Sequence, residues 1–293
     1  MTTVLPNSDR GPGDPPKRRE SVRGADTEVS LTHLADKVKT SITTGGEILR
    51  FSGRTIRSFG DLRHFVPEIL QQAGILILSS GLVIWLMQFV IGYQCGLEGK
   101  YVLDQIGAPL YSGVFNAWCL LREMSPYMYG YIFAAKVGCG LVAEIGSMRI
   151  SDEIDALEVM GVKSRSYLVG TRIVAAWIAI PFLFIVGLGI SFIGGYLVTV
   201  QLLGGVSPGG YSFIFWLFQN PLDLLYALIK VMLMATAIIF VGCYYGYTAD
   251  GGPVGVGRST ARSMMLNMVL VHVIAFLTTQ LLWGTNLNAP VAN

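Results

Sequence analysis

Five long apolar runs recur along the 293 residues, and each has the length a helix needs to cross a lipid bilayer. A hydrocarbon core of about 30 Å takes about 20 residues at the helical rise. The runs are Ile69–Tyr93, interrupted only by Gln71, Gln72 and Gln88, then Pro126–Met148, Val169–Leu203, Leu222–Tyr247 and Ser263–Trp283. The third exceeds what a bilayer requires and should tilt or protrude. Residues 104–121 are short and mixed, and read as a re-entrant or surface helix rather than a span. Backbone polar groups in hydrocarbon must be satisfied within the segment, so spans of this kind are helices. Composition agrees: 52% of residues are hydrophobic and 14% charged, where soluble domains carry about 25% charged.

Lys and Arg set the expected orientation. Eleven of the 21 precede the first span, Arg149, Lys163 and Arg165 follow the second, and Arg258 and Arg262 lie between the fourth and fifth. The 204–221 segment, which reads as a loop, and the C-terminal tail have none. The positive-inside rule then places the N-terminus in the cytoplasm and the C-terminus outside a plasma (inner) membrane. A net charge of +2 gives no reason to expect a nucleic-acid partner. No continuous apolar stretch in the first 70 residues resembles a signal peptide. The scattered Cys95, Cys119, Cys139 and Cys243 form no C-x-x-C pair and read as small packing residues.

Before the spans, residues 1–28 are too rich in Pro, Gly and charge to order themselves. Within 29–68, Ile48, Phe51, Ile56, Phe59, Leu62 and Phe65 recur at helical spacing, with Arg50, Arg54, Arg57 and Arg63 mainly between them. Such a helix can lie in the head-group plane, or pack on another surface. The expected organisation is a disordered cytoplasmic tail (1–28), an amphipathic region (29–68), a transmembrane domain (69–285) and an extracytoplasmic tail (286–293). The fold class is all-α: a polytopic membrane protein of five transmembrane helices, an interfacial helix and a short cytoplasmic helix.

That short helix is expected after the second span. Ile150, Ile154, Leu157 and Val159/Met160 form an apolar stripe, and Asp152, Glu153, Asp155 and Glu158 an acidic remainder. Ser151 precedes a first turn rich in acid, which suits a helix N-terminus. A partner can dock on such a helix and transmit its motion; an acidic solvated linker is the alternative. Inside the spans stand Arg122, Glu123, Lys136, Glu144, Asp223 and Lys230. Charges there are costly and face a cavity or a partner. Arg122 and Glu123 are expected near the outer end of span two. Asp223 and Lys230, seven apart on one helix face, are about 10 Å apart along its axis and need other partners. Small residues four apart (Gly130, Ala134, Gly138; Gly187, Ser191, Gly195; Gly242, Gly246) offer grooves for close helix approach, within one subunit or between two.

There is no G-x-x-x-x-G-K-[ST] loop, so ATP hydrolysis would be borrowed from another chain. The 251–257 glycine cluster reads as a turn with a cytoplasmic contact role. His33, His64 and His272 make no H-E-x-x-H motif, and no paired intramembrane Asp motif occurs. A lipid-modifying enzyme would need clustered catalytic His, Asp or Cys at one membrane face. No catalytic residue, metal site or cofactor is expected in this chain.

The run from Leu121 to Val162 contains L-R-E-M-S-P, A-K-V-G, A-E-I-G-S-M-R and D-E-I-D-A-L-E-V-M-G-V. It resembles the signature region of the MlaE/YrbE permease family, most closely the actinobacterial YrbE members of Mce systems. The resemblance implies a permease subunit of an ATP-driven transporter of fatty acids, sterols or phospholipids. Its implied partners are a cytoplasmic ABC ATPase dimer carrying ATP and Mg, a second permease chain, MCE-domain proteins and the lipid substrate. It assigns coupling to the ATPase to Glu144, Met148, Asp152, Glu153, Asp155, Leu157 and Glu158. Arg122, Glu123, Asp223 and Lys230 would line or buttress the lipid pocket, with Lys136 as a further charge on that pathway. Many relatives follow M-G-V with Asp-Pro, where this chain has Lys163-Ser164. That departure fits one side of a heterodimer, and leaves a non-catalytic assembly half as the alternative role.

Overall fold

A computed structural model describes residues 43–57, 62 and 65–284. Residues 43–57 form a helix, α1, and the boundary between the chain's two units, Met1–Arg50 and Phe51–Asn293, falls inside it. The second unit carries everything that follows. Its helices are α2 (Val66–Gln105), α3 (Pro109–Ile150), α4 (Glu153–Val159), α5 (Ser166–Leu202), α6 (Pro208–Leu217), α7 (Pro221–Tyr247) and α8 (Gly252–Trp283).

The five expected spans are present as α2, α3, α5, α7 and α8, each long and apolar enough to cross a membrane. This is an all-helical, multi-pass membrane protein. In their most apolar windows, α3, α5 and α7 are 44–50% buried, whereas α2 and α8 are only 22% buried. The first three therefore form the inner layer. The other two flank it and turn most of their surface outward.

Small residues permit this arrangement. Where α2 crosses α5, a Cβ on Gly92 would lie 1.9 Å from the Ser191 carbonyl oxygen, and one on Gly194 2.6 Å from that of Phe89. Only bare backbone fits there. Gly138 and Gly242 similarly bring α3 onto α7. The grooves expected from four-residue spacing thus serve contacts within this chain. Gln88, fully buried on α2, exchanges two hydrogen bonds with Ser125 on α3: Nε2 to the carbonyl at 3.0 Å, and Ser125 Oγ to Oε1 at 2.8 Å.

Four local expectations need correction. Residues 104–121 are not a separate re-entrant helix. The chain breaks only at 106–108, where Gly107 takes φ +72°, and α3 then runs 42 residues from Pro109 without interruption. The 204–221 segment holds α6, whose N-terminus is capped by Ser207 Oγ accepting from the Gly210 N–H at 3.1 Å, with Pro208 in the first turn. The 251–257 cluster is a turn only at Gly251 and Gly252, both left-handed, and α8 already begins at Gly252. Of the expected apolar stripe, Ile48, Phe51 and Leu62 are buried, but Ile56 is exposed and Thr55 is buried in its place. Phe51 packs edge-on against Tyr244 and near Tyr247, both ring centroids at 5.8 Å, which favours a packed helix for the part after residue 50. Phe59 and Arg63, like the tails 1–28 and 286–293, lie outside the described residues.

Candidate functional site

The helix α3 carries two wide π turns, Cys119–Met124 and Ala134–Gly138. Such turns insert an extra residue into the helix and recur at functional sites. Arg122 and Glu123 stand on the first and Lys136 on the second. The expectation that Arg122 and Glu123 sit near the end of span two is therefore corrected: the helix extends 13 residues before Arg122, back to Pro109.

Around the first wide turn the charges form two layers. In one, Arg122 Nε and Nη2 both reach Asp223 Oδ2, at 2.9 and 2.7 Å. Asp223 is fully buried in the first turn of α7, where the helix dipole favours an anion. Its other oxygen accepts from Trp283 Nε1 at 2.8 Å, and the guanidinium lies 4.7 Å from the Trp118 ring centre. In the other layer, fully buried Lys230 donates to Glu123 Oε2 at 2.8 Å, to Thr279 Oγ1 at 2.8 Å and to the Arg122 carbonyl at 3.1 Å. Thr279 in turn donates to Glu123 Oε1 at 2.6 Å.

The carbonyl bond has a cause in the sequence. Pro126 has no N–H to offer the carbonyl four residues back, that of Arg122. Lys230 supplies the missing donor. A groove of about 590 Å³ lies against this cluster, with Phe115, Trp118 and Cys119 of α3 and Trp283 of α8 as walls and Arg122, Glu123 and Thr279 as polar floor. Its size falls in the range of small-molecule sites.

At the opposite end of the bundle, α4 is clamped at both of its ends. Asp152 enters it with φ +59°, the only positive φ outside glycine among the described residues. The cap is thus Asp152 rather than Ser151, whose Oγ instead donates to Glu153 at 2.9 Å. Arg149 holds Asp155 at 2.6 Å. The exit is a Schellman turn: the Gly161 N–H bonds the Glu158 carbonyl and the Val162 N–H that of Leu157, with Gly161 at φ +78°. This explains the glycine of M-G-V. Ser164 then donates to Glu158 Oε1 at 2.6 Å and lies 3.1 Å from the Tyr247 hydroxyl, which also donates to Glu158. These bonds, chiefly the one from Ser164, hold the Glu158 carboxyl below its ordinary pKa. A serine bond therefore fastens the exit.

The expected apolar stripe divides in two. Ile154 is fully buried and Leu157 packs on the core, whereas Val159 and Met160 are 89% and 69% exposed. These two apolar side chains stand out beside exposed Asp152, Glu153 and Asp155. Met148 is half-buried against the core. Glu144 is not part of the α4 surface: it pairs with Arg172 of α5 at 2.5 Å and lines a cavity that also contains Lys136. Nothing in the sequence pointed to Arg172, Trp283 or Thr279, because each acts through a partner tens of residues away. Among the described residues, no group of three or more His, Cys, Asp or Glu side chains could hold a metal.

Residues 69–281, nearly all of the helical bundle, match the family model Permease MlaE. The chain belongs to the MlaE permease family. A probable ABC transporter permease protein of Rickettsia felis is 34% identical over 236 residues, covering 80% of this chain and 91% of that one. The intermembrane phospholipid transport system permease protein MlaE of Haemophilus influenzae is 31% identical over 227 residues, 76% of this chain and 85% of that one. A Rickettsia bellii probable ABC transporter permease is 34% identical over a shorter stretch, 55% of this chain and 62% of that one. All the site residues named above lie within the matched span except Trp283, two residues beyond it.

Proposed function

We propose that this chain is the membrane-spanning subunit of an ATP-driven lipid transporter, and that the groove between α3 and α8 is its half of the lipid pocket. One observation carries the reading: an apolar groove of about 590 Å³ floored by a buried, doubly paired charge cluster on a widened helix turn. The outward face of α8 beside it presents Met265, Val269, Phe276 and Leu281. A second permease chain on that face would close the groove, and a heterodimer is favoured by the Lys163-Ser164 departure. The phospholipid named for the H. influenzae relative supports a lipid cargo. Placement among actinobacterial YrbE subunits is part of the same proposal.

The arginine and lysine distribution supports a cytoplasmic N-terminus, with α4 on the cytoplasmic side. There Val159, Met160 and the acidic residues of α4 receive an ABC ATPase, which brings ATP and Mg. Closure of the ATPases pushes α4. Its ties to α3 through Arg149 and to α7 through Tyr247 pass the push to the bundle. The wide turns of α3 are where that helix yields, and the groove changes shape. MCE-domain proteins take or deliver lipid on the far side. Glu144 and Met148 transmit rather than dock.

The test is a gentle-detergent pull-down of the tagged chain from native membranes with mass spectrometry. Recovery of an ABC ATPase, a second permease chain and MCE-domain proteins is expected. Replacing Val159 and Met160 together by Asp should abolish lipid-stimulated ATP turnover in an assembled complex. Unchanged turnover would sink the coupling role of α4, and a folded chain that recovers no ATPase would sink the transporter reading.

A further inference from the structure

A second cavity lies between α2, α3 and α5, away from the groove at the charge cluster. It measures about 200 Å³, too small for a whole lipid and below the usual range for drug-sized ligands. Its chemistry differs from that of its surroundings. Lys136, Arg172 and Glu144 line it, together with the side chains of Ser79, Ser80 and Gln72.

The charges do not balance. Arg172 spends Nη2 on Glu144 at 2.5 Å and Nη1 on the Leu168 carbonyl at 2.7 Å. Its Nε is buried without a hydrogen-bond partner, on a side chain 8% exposed. Lys136, on the second wide turn, has no hydrogen-bond or ion-pair partner among the described residues. Two cations thus face one carboxylate that is already engaged. Lys136 stands 14 residues before the end of α3 at Ile150, about 21 Å along the axis, too far for its stem to carry the ammonium to that end. An uncompensated cation at such depth is costly, about 2.5–3.5 kcal/mol on insertion scales.

We propose that this cavity is a subsite for the phosphate head group of an anionic lipid. The ammonium of Lys136 supplies the charge, and the Ser79–Ser80 hydroxyl pair, 3.4 Å apart, supplies a donor. Charge-assisted bonds of this kind are the strong ones in a low dielectric. The source is lipid rather than free phosphate because the rim is hydrocarbon: Ile75 lines the cavity and, like neighbouring Leu78, is turned outward. The inference rests on the lipid-transport reading and adds a selectivity to it: anionic cargo is held partway along α3, apart from the α3–α8 groove.

The experiment uses the complex purified from native membranes, stripped of endogenous lipid, and titrated with phosphatidylglycerol or phosphatidylcholine under native mass spectrometry. Wild type is expected to hold phosphatidylglycerol about tenfold better than phosphatidylcholine. Lys136→Gln should erase that preference and Lys136→Arg restore it, with partner recovery unchanged in both and no fall in melting temperature for Lys136→Gln, since Lys136 bonds nothing in the fold and its loss relieves an uncompensated charge. A Lys136→Gln complex that keeps the full preference overturns the proposal. So does displacement of phosphatidylglycerol by millimolar inorganic phosphate, which would make the cavity a free-anion site. If wild type holds both lipids equally, this inference falls and the lipid-transport reading stands. If it holds neither, the lipid reading itself fails.

Discussion

Replacing Asp223 by Asn and Lys230 by Met removes one charge from each layer of the cluster, yet the two losses should differ in size. Asp223→Asn leaves the Arg122 guanidinium, 8% exposed, facing a neutral amide. Breaking a buried pair from one side costs about 3–5 kcal/mol, because the remaining charge is stranded. Arg122 keeps its contact with Trp118, so the lower end, about 3 kcal/mol, is expected. Lys230→Met strands less. Its carboxylate partner Glu123 is 46% exposed and still receives the Thr279 hydroxyl at 2.6 Å. The principal loss is the donor to the Arg122 carbonyl, about 1 kcal/mol, against which burial of the lysine charge is relieved.

The expected gap between the variants is therefore about 2 kcal/mol. Equilibrium unfolding of the purified chain in mixed micelles, titrated with sodium dodecyl sulfate, reads it directly. A third variant identifies the cause. If a stranded guanidinium is the damage, Arg122→Met added to Asp223→Asn should recover part of the loss rather than add to it. The reasoning is refuted if Lys230→Met costs as much as Asp223→Asn, or if the double variant is less stable than either single one.

Three further outcomes are expected. Gly92→Ala forces a methyl against the Ser191 carbonyl and should abolish folded protein in size-exclusion chromatography, whereas Gly189→Ala, with open space around its Cα, should gain up to about 1 kcal/mol. Because Glu158 has a lowered pKa, the stability it contributes is present above the ordinary carboxylate range and is lost as pH falls through the lowered value; Ser164→Ala should shift that loss to higher pH, seen as faster amide exchange of residues 153–162 near pH 4–5. Cys95 and Cys119, with sulfurs 3.1 Å apart, should cross-link α2 to α3 when the purified complex is treated with diamide, giving a linked peptide in non-reducing mass spectrometry, and Cys119→Ser should abolish it.

The spans were legible because lipid imposes one solution on an apolar run, and a count of apolar residues suffices to find it. α6 was legible in principle from Ser207-Pro208, a cap followed by a first-turn proline, but its apolar face looked like loop in a window between two spans. The wide turns of α3 were not legible, and they decide the site. On α7, Asp223 and Lys230 are two helical turns apart, so neither can serve the other, and this much follows from spacing alone. Their partners Arg122 and Glu123 are adjacent in sequence. A pair of neighbours can serve two positions about 10 Å apart only if the side chains diverge along the interface. The long arginine reaches toward the α7 N-terminus, and the long lysine reaches back to Glu123 and to the Arg122 carbonyl that Pro126 leaves without its helical donor. Short acids opposite long bases are thus a geometric necessity of two layers built on one widened turn. The same logic predicts that exchanging Arg122 with Lys loses the two-pronged bond to Asp223, whereas exchanging Glu123 with Gln, half-exposed and still in reach of Thr279, is the milder change.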